Sequence, residues 1–207
     1  MGDPHLKQVY DDMSSYFDAK RTKSYFYKLI EYLKRVIPPK SSILEIGSGT
    51  GGYCILLEKY GCKCKGIDYS EKMIEVSKTN NKMSKTNCIF KVADVEETIP
   101  FKEKFDFVIS MDSWEFFPNP EKVMKNVRNV LKENTLFLIF TPNMLFALPI
   151  IIAEKLKIKK LSPAYAYFNS YKHRVKKWAK MNGFKLEKID YIFHRMTIIF
   201  YLRKIGK

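Results

Sequence analysis

The residues best placed to do chemistry lie between Ile43 and Tyr53, where the chain reads Ile-Leu-Glu-Ile-Gly-Ser-Gly-Thr-Gly-Gly-Tyr. A short apolar run with one acid meets a cluster of glycines. Glycine suits a tight turn that needs positive φ, and its missing Cβ lets a ligand approach the backbone. The free N–H groups that open the following helix can then take up a polar group. This pattern predicts a strand, a turn and a helix that cradle a nucleotide-type cofactor.

Spacing alone leaves two cofactors open. Gly47-x-Gly49-x-x-Gly52 fits the dinucleotide fingerprint, with Asp68 about 20 residues on as the ribose-binding acid. Glu45-x-Gly47-x-Gly49-x-Gly51 also resembles the first motif of the class I methyltransferases, which use S-adenosylmethionine. A carboxylate two residues before the first glycine would repel a pyrophosphate but help to hold a cationic amino-acid end, so Glu45 favours the second.

The elements that must position these groups follow from periodicity. Val9, Met13, Tyr16 and Phe17, then Tyr25, Phe26, Leu29, Ile30, Leu33 and Val36, recur at helical spacing and predict two N-terminal helices, closed by Pro38-Pro39. Strands are expected at 42–46, 62–67, 88–92, 105–111 and 136–141, with helices between them. Ser70 and Asn119 are the expected N-caps. Strands alternating with helices imply a parallel sheet covered on both faces. Beyond 143 the alternation changes: an apolar segment with a lysine-rich end, an aromatic segment (Tyr165, Tyr167, Phe168), a helix capped by Ser170, then two strands in succession. Such a pair needs a hairpin, placed at His194-Arg195, and predicts one antiparallel strand.

At 207 residues the chain is expected to be a single domain. The polar N-terminus leads us to expect no signal peptide, and the longest apolar run, Met144 to Ala153, is too short to span a bilayer. Cys54, Cys62, Cys64 and Cys88 include no Cys-x-x-Cys and read as reduced thiols of a cytoplasmic protein. No pattern points to a metal. The net charge of +15 is large and uneven, with 15 Lys and Arg from Lys155 to Lys207 against only Glu187 and Asp190. That basic region suits contact with RNA or an anionic membrane surface; the oligomeric state is left open.

The whole pattern resembles the class I S-adenosylmethionine-dependent methyltransferases, and most closely the small-molecule branch with the ubiquinone and menaquinone methyltransferases. The resemblance implies an α/β, Rossmann-like, seven-stranded sheet of order 3-2-1-4-5-7-6 with strand 7 antiparallel, a helical cap over 1–37 and a substrate lid over 143–171. It also implies roles. Glu45, Gly47, Ser48, Gly49 and Gly51 surround the methionine end of the cofactor. Asp68 takes the ribose hydroxyls. Tyr69 and Met73, within Asp68-Tyr69-Ser70-Glu71-Lys72-Met73, pack on the adenine. Asp94 and Val95 hold the adenine edge, Met111 and Asp112 border the sulfonium, and Tyr16 closes the site.

A sulfonium methyl is already activated, so the protein's main task is alignment of the acceptor; a base is needed only where the acceptor must lose a proton. Quinone-type members carry Glu-His after strand four, whereas this chain reads Trp114-Glu115-Phe116-Phe117. That leaves His173, His194 and Tyr171 as weak catalytic candidates. The expected reaction is methyl transfer to an apolar or aromatic small molecule. An RNA methyltransferase, an NAD-type enzyme and a non-catalytic binder are the alternatives.

Overall fold

The computed structural model describes residues 3–15, 17–20, 23–143 and 166–206. Three helices open the chain: α1 (Pro4–Met13), α2 (Phe17–Lys20) and α3 (Lys23–Val36). Asp3 caps α1 by accepting from His5 N (2.9 Å) and Leu6 N (3.4 Å), with Pro4 at the first helical position. The first helix is shorter than the spacing predicted. Ser14 turns its hydroxyl back to the Asp11 carbonyl (2.9 Å), the local competition by which serine ends helices.

Five parallel strands and their helices follow: β1 (Ser42–Ile46), α4 (Gly52–Lys59), β2 (Lys63–Asp68), α5 (Glu71–Met83), β3 (Ile89–Val92), β4 (Phe105–Met111), α6 (Pro120–Val130) and β5 (Leu131–Pro142). A 3-10 turn at Trp114–Phe116 leaves β4. Ser70 caps α5 as expected, accepting from Met73 N at 3.0 Å. Asn119 does not cap α6 with its side chain; its amide donates instead to Glu96 Oε2 (3.0 Å). The last part holds α7 (Ala166–Asn169), α8 (Lys172–Met181), β6 (Phe184–Ile192) and β7 (Thr197–Lys204). Tyr171, not Ser170, occupies the cap of α8, because the Ser170 hydroxyl is taken by Thr141 Oγ1 at 2.6 Å.

The strands form one seven-stranded sheet of order β3-β2-β1-β4-β5-β7-β6, with β7 antiparallel to both neighbours. This is the predicted order. The hairpin between β6 and β7 turns through Phe193, His194 and Arg195, all at positive φ. Apolar cores cover both faces. One is built on α3 and α4 with Leu29, Leu33, Tyr53 and Leu57; the other on α6 and α8 with Val123, Val127, Val175 and the fully buried Trp114. β5 runs between them with Phe137, Leu138, Ile139 and Phe140 all at 0% exposure, each worth on the order of 2 kcal/mol of burial. The four cysteines are buried and form no disulfide. Among the described residues no helix is long and apolar enough to cross a membrane.

Two hydrogen-bonded links frame the predicted lid, whose residues 144–165 lie outside the described ones. Asn143 is held to the hairpin, donating from N to Met196 O and from Nδ2 to Arg195 O, both at 2.7 Å. Asn169 is held to the turn after β4, donating from Nδ2 to Phe117 O (2.7 Å) and accepting from Trp114 Nε1 (2.9 Å). The described chain therefore leaves and re-enters this region beside the carboxyl ends of β4 and β5.

Candidate active site

In an open α/β sheet the carboxyl ends of neighbouring strands are where loops can gather around a ligand. Here the ends of β3, β2, β1 and β4 share one cavity of about 320 Å³. Its walls are set side by side by the strand order: Ala93 to Glu96 after β3, Asp68 to Ser70 at the end of β2, Glu45 and Gly47 to Gly49 at β1, and Met111 to Ser113 at the end of β4. The N-terminal helices form the roof, with Leu6, Lys7, Tyr10, Met13, Phe17 and Tyr25 facing in.

The glycine loop divides into two functions. At Gly49 (φ +51) an added Cβ would have nothing closer than Phe17 Cε1 at 3.9 Å, so this backbone faces open cavity. Its N–H donates to Asp68 Oδ2 (2.8 Å), which ties the loop of β1 to the end of β2. Asp68 Oδ1 accepts from Ser70 N (2.9 Å). Burial pushes the Asp68 carboxyl up, opposed by these backbone donors. Gly51 behaves differently. It lies outside the cavity wall, and an added Cβ would stand 2.6 Å from Phe90 Cζ and 3.1 Å from Ser77 Cβ. Close packing of α4 on the sheet, rather than room for a ligand, requires glycine there.

Glu45, 1% exposed, also lines the cavity. An ordered acid at the end of a buried strand, with Gly49 open beside Asp68, gives a cradle suited to a cation that also carries a diol: two carboxylate oxygens can accept from two vicinal hydroxyls. On the β3 side Asp94 Oδ1 accepts from Glu96 N (2.9 Å), and this turn exposes Asp94 and Val95 to the cavity.

The roof is latched by side chains. Ser70 Oγ donates to Asp11 Oδ1, Lys7 Nζ pairs with Glu71 Oε1 (3.0 Å) and lies over the Tyr69 ring, and Thr50 Oγ1 donates to Asp18 Oδ1 (2.7 Å). The Tyr10 ring meets both Phe17 and Phe116 edge-on, 6.3 and 5.9 Å between centroids, closing the roof against the turn after β4.

At the β4 end, Tyr25 OH donates to Asp112 Oδ1 (3.0 Å) and lies 3.1 Å from Thr197 Oγ1. Asp112 adopts φ +50, a left-handed conformation uncommon for a residue with a side chain. Behind it Glu115, 7% exposed, accepts from Thr141 Oγ1 (2.9 Å). Burial, then the charge of Asp112, pushes the Glu115 carboxyl up to about 8.

That shift makes stability depend on pH. Glu115 keeps its proton in the folded protein up to about 8, whereas the unfolded chain releases it near the ordinary carboxylate value of 4.5. Between these values the native state binds the extra proton, so stability falls as pH rises, on the order of 1 kcal/mol per pH unit. Denaturant titrations from pH 5 to 9 are expected to show this fall, and Glu115→Gln to flatten it.

Of the residues singled out from sequence, Glu45, Gly47, Ser48, Gly49, Asp68, Tyr69, Met73, Asp94, Val95, Met111 and Asp112 line the one cavity. Gly51 does not, and Tyr16 lies outside the described residues. The catalytic candidates are elsewhere: His173 stacks on Tyr171 at the exposed start of α8, and His194 lies exposed at the hairpin tip in a separate cleft with Tyr27, Lys28 and Arg35. Sequence reading missed Lys7, Tyr10, Phe17, Tyr25 and Phe116. Tyr25 was visible only as one member of an amphipathic repeat.

Residues 37–195 match a family model described as a methyltransferase domain. A sarcosine/dimethylglycine N-methyltransferase of Halorhodospira halochloris is 31% identical over 68% of this chain, and the match spans 50% of that enzyme. A ubiquinone biosynthesis O-methyltransferase of Coxiella burnetii is 26% identical, with 76% of this chain and 69% of that enzyme matched. The PH0226 protein of Pyrococcus horikoshii shares the structure at a TM-score of 0.76 and 25% identity, covering 98% of this chain and all of that one. The magnesium protoporphyrin IX methyltransferase of Synechocystis, solved with S-adenosylhomocysteine bound, shares the fold at a TM-score of 0.67 and 17% identity, with 87% and 82% covered. The chain belongs to the methyltransferase-domain family, as an S-adenosylmethionine-dependent member with the class I, Rossmann-like fold.

Proposed function

We propose that this chain methylates a small molecule with an apolar or aromatic body, using the cavity at the ends of β1 to β4. The observation that carries the reading is the make-up of that cavity: carboxylates and the open Gly49 backbone at the β1 and β2 ends, and at the β4 end the apolar Met111, Phe116 and Phe117, with Tyr10 above them, beside the single acid Asp112. When bound, S-adenosylmethionine supplies an activated methyl group. The chain's own residues hold it and exclude water: Asp68 accepts from the ribose hydroxyls, Tyr69 and Met73 pack on the adenine, and Asp94 and Val95 meet its edge. Glu45 and the Gly47–Gly49 loop surround the amino-acid end, with Met111 and Asp112 beside the sulfur.

The cap formed by α1, α2 and α3 covers the cofactor, and Asn143 and Asn169, which flank the proposed lid, are held beside the β4 and β5 ends. Both an N- and an O-methyltransferase stand among the relatives, so the acceptor atom is decided by this chain's own residues.

A second reading, methylation of RNA, draws on the exposed lysines of α8: Lys172, Lys176, Lys177 and Lys180. One experiment separates the two. The protein is incubated with methyl-labelled S-adenosylmethionine and a cell extract, and the label is partitioned. Label in the solvent-extractable small-molecule fraction, unchanged by ribonuclease, is expected. Label confined to acid-precipitable RNA would overturn the small-molecule reading.

A further inference from the structure

The chain carries a net charge of +15, yet its cavity is lined by the acids Asp3, Glu45, Asp68, Asp94, Glu96 and Asp112, and among the described residues by one base, Lys7. That base is paired with Glu71. The sign of the cavity is thus opposite to that of the molecule, and a low-dielectric cleft strengthens such a field.

Part of it suits the cofactor's own positive charge. Asp112 stands apart from the ribose end, because β1 lies between β2 and β4 in the sheet. Its carboxylate lines the β4 end of the cavity and is fixed by Tyr25, which crosses from α3 to donate to it at 3.0 Å while also meeting Thr197 of β7. Burial, then the Asp112 charge, raises the Tyr25 hydroxyl well above its ordinary range, so it stays a neutral donor. Glu115 adds a second carboxyl behind Asp112.

From this arrangement we infer that the methyl acceptor is an amine, bound at its nitrogen by Asp112, with Tyr25 as the residue that positions Asp112. The inference rests on the methyltransferase reading of the cavity. An amine arrives as an ammonium, which the acidic wall attracts. It gives one proton to Asp112, and thence to water. The nitrogen lone pair forms the N–CH3 bond as the S–CH3 bond breaks, its electron pair staying on sulfur. Positive charge passes from sulfur to nitrogen, and a carboxylate beside the nitrogen stabilises it as it develops. An acceptor reacting as an anion, such as a phenolate or a carboxylate, would instead be repelled by Asp112.

The test uses equilibrium binding of cofactor analogues. Sinefungin replaces the sulfur and its methyl by a carbon bearing a protonated amine, so its extra cation marks the acceptor side; S-adenosylhomocysteine lacks that charge. Calorimetry on the wild type is expected to give sinefungin about tenfold or greater preference over S-adenosylhomocysteine. Asp112→Asn should abolish the preference, read as the ratio of the two affinities in the same variant, and Tyr25→Phe should reduce it. Equal affinities in the wild type, or a preference that survives Asp112→Asn, would overturn the inference. Equal affinities in the wild type overturn it even where a variant fails to fold. Failure of the wild type to bind S-adenosylhomocysteine at all would be a different result, removing the cofactor reading itself and this inference with it.

Discussion

Asp68→Ala is expected to weaken S-adenosylhomocysteine binding about a hundredfold, close to 2.7 kcal/mol. The carboxylate is the acceptor for two ribose hydroxyls in the proposed pose, and hydrogen bonds to a charged group are each worth about 1.5 to 3 kcal/mol. The same side chain fixes the cradle, since Oδ2 accepts from Gly49 N and Oδ1 from Ser70 N. Asp68→Asn keeps the side-chain shape and one acceptor oxygen but gives up one of the two backbone contacts, and should lose less than Asp68→Ala, about tenfold. Isothermal titration of the three proteins checks both values. Equal affinity in wild type and Asp68→Ala would mean that the ribose does not lie at the end of β2.

The second large effect comes from paired substitutions in the glycine loop. Gly51→Ala forces a Cβ to within 2.6 Å of the Phe90 ring at a backbone φ of +80. Left-handed strain of about 1 to 2 kcal/mol and overpacking of about 1 to 3 add to a loss near 3 kcal/mol. For a chain of this size that lowers the melting temperature by about 6 to 12 °C. Gly49→Ala meets no atom closer than 3.9 Å. It should cost only the strain, a few degrees, while obstructing the cofactor and abolishing binding. Melting curves and titrations on the two variants should therefore give opposite patterns. A Gly49→Ala protein that binds normally would show that this backbone is not a contact surface.

What was legible in the sequence is what is local along the chain. The strand, turn and helix from Ile43 to Lys59 announce themselves through the change from an apolar run to glycines, and Asp68 through its place just before a capped helix. The antiparallel hairpin of β6 and β7 followed from two strands with no helix between them, and its order in the sheet from the family resemblance. Gly51 shows where local reading reaches its edge. It sits in the motif like the other glycines, and only the approach of Phe90 from β3 reveals it as a packing position.

The roof was illegible for a related reason. Lys7, Tyr10 and Tyr25 come to the cavity because α1 latches onto α5 and α3 packs against α4. Their spacing is that of an ordinary amphipathic helix, and nothing in it says which aromatic will face a ligand. Glu115 is a similar case. It lies in the stretch Trp114 to Phe117, where the absent histidine drew attention, yet the buried acid beside Thr141 is the group whose titration the fold alters. Conversely, His173 and His194 were singled out as residue types, and the fold places neither at the cavity.

The central claim is that the cavity at the ends of β1 to β4 holds S-adenosylmethionine. Calorimetric titration of the wild-type chain with S-adenosylhomocysteine, and separately with NADH, tests it most directly. Micromolar binding of S-adenosylhomocysteine at one site per chain, with no heat from NADH, is the predicted result. Binding of NADH with none of S-adenosylhomocysteine would contradict the account and return the glycine loop to a dinucleotide site.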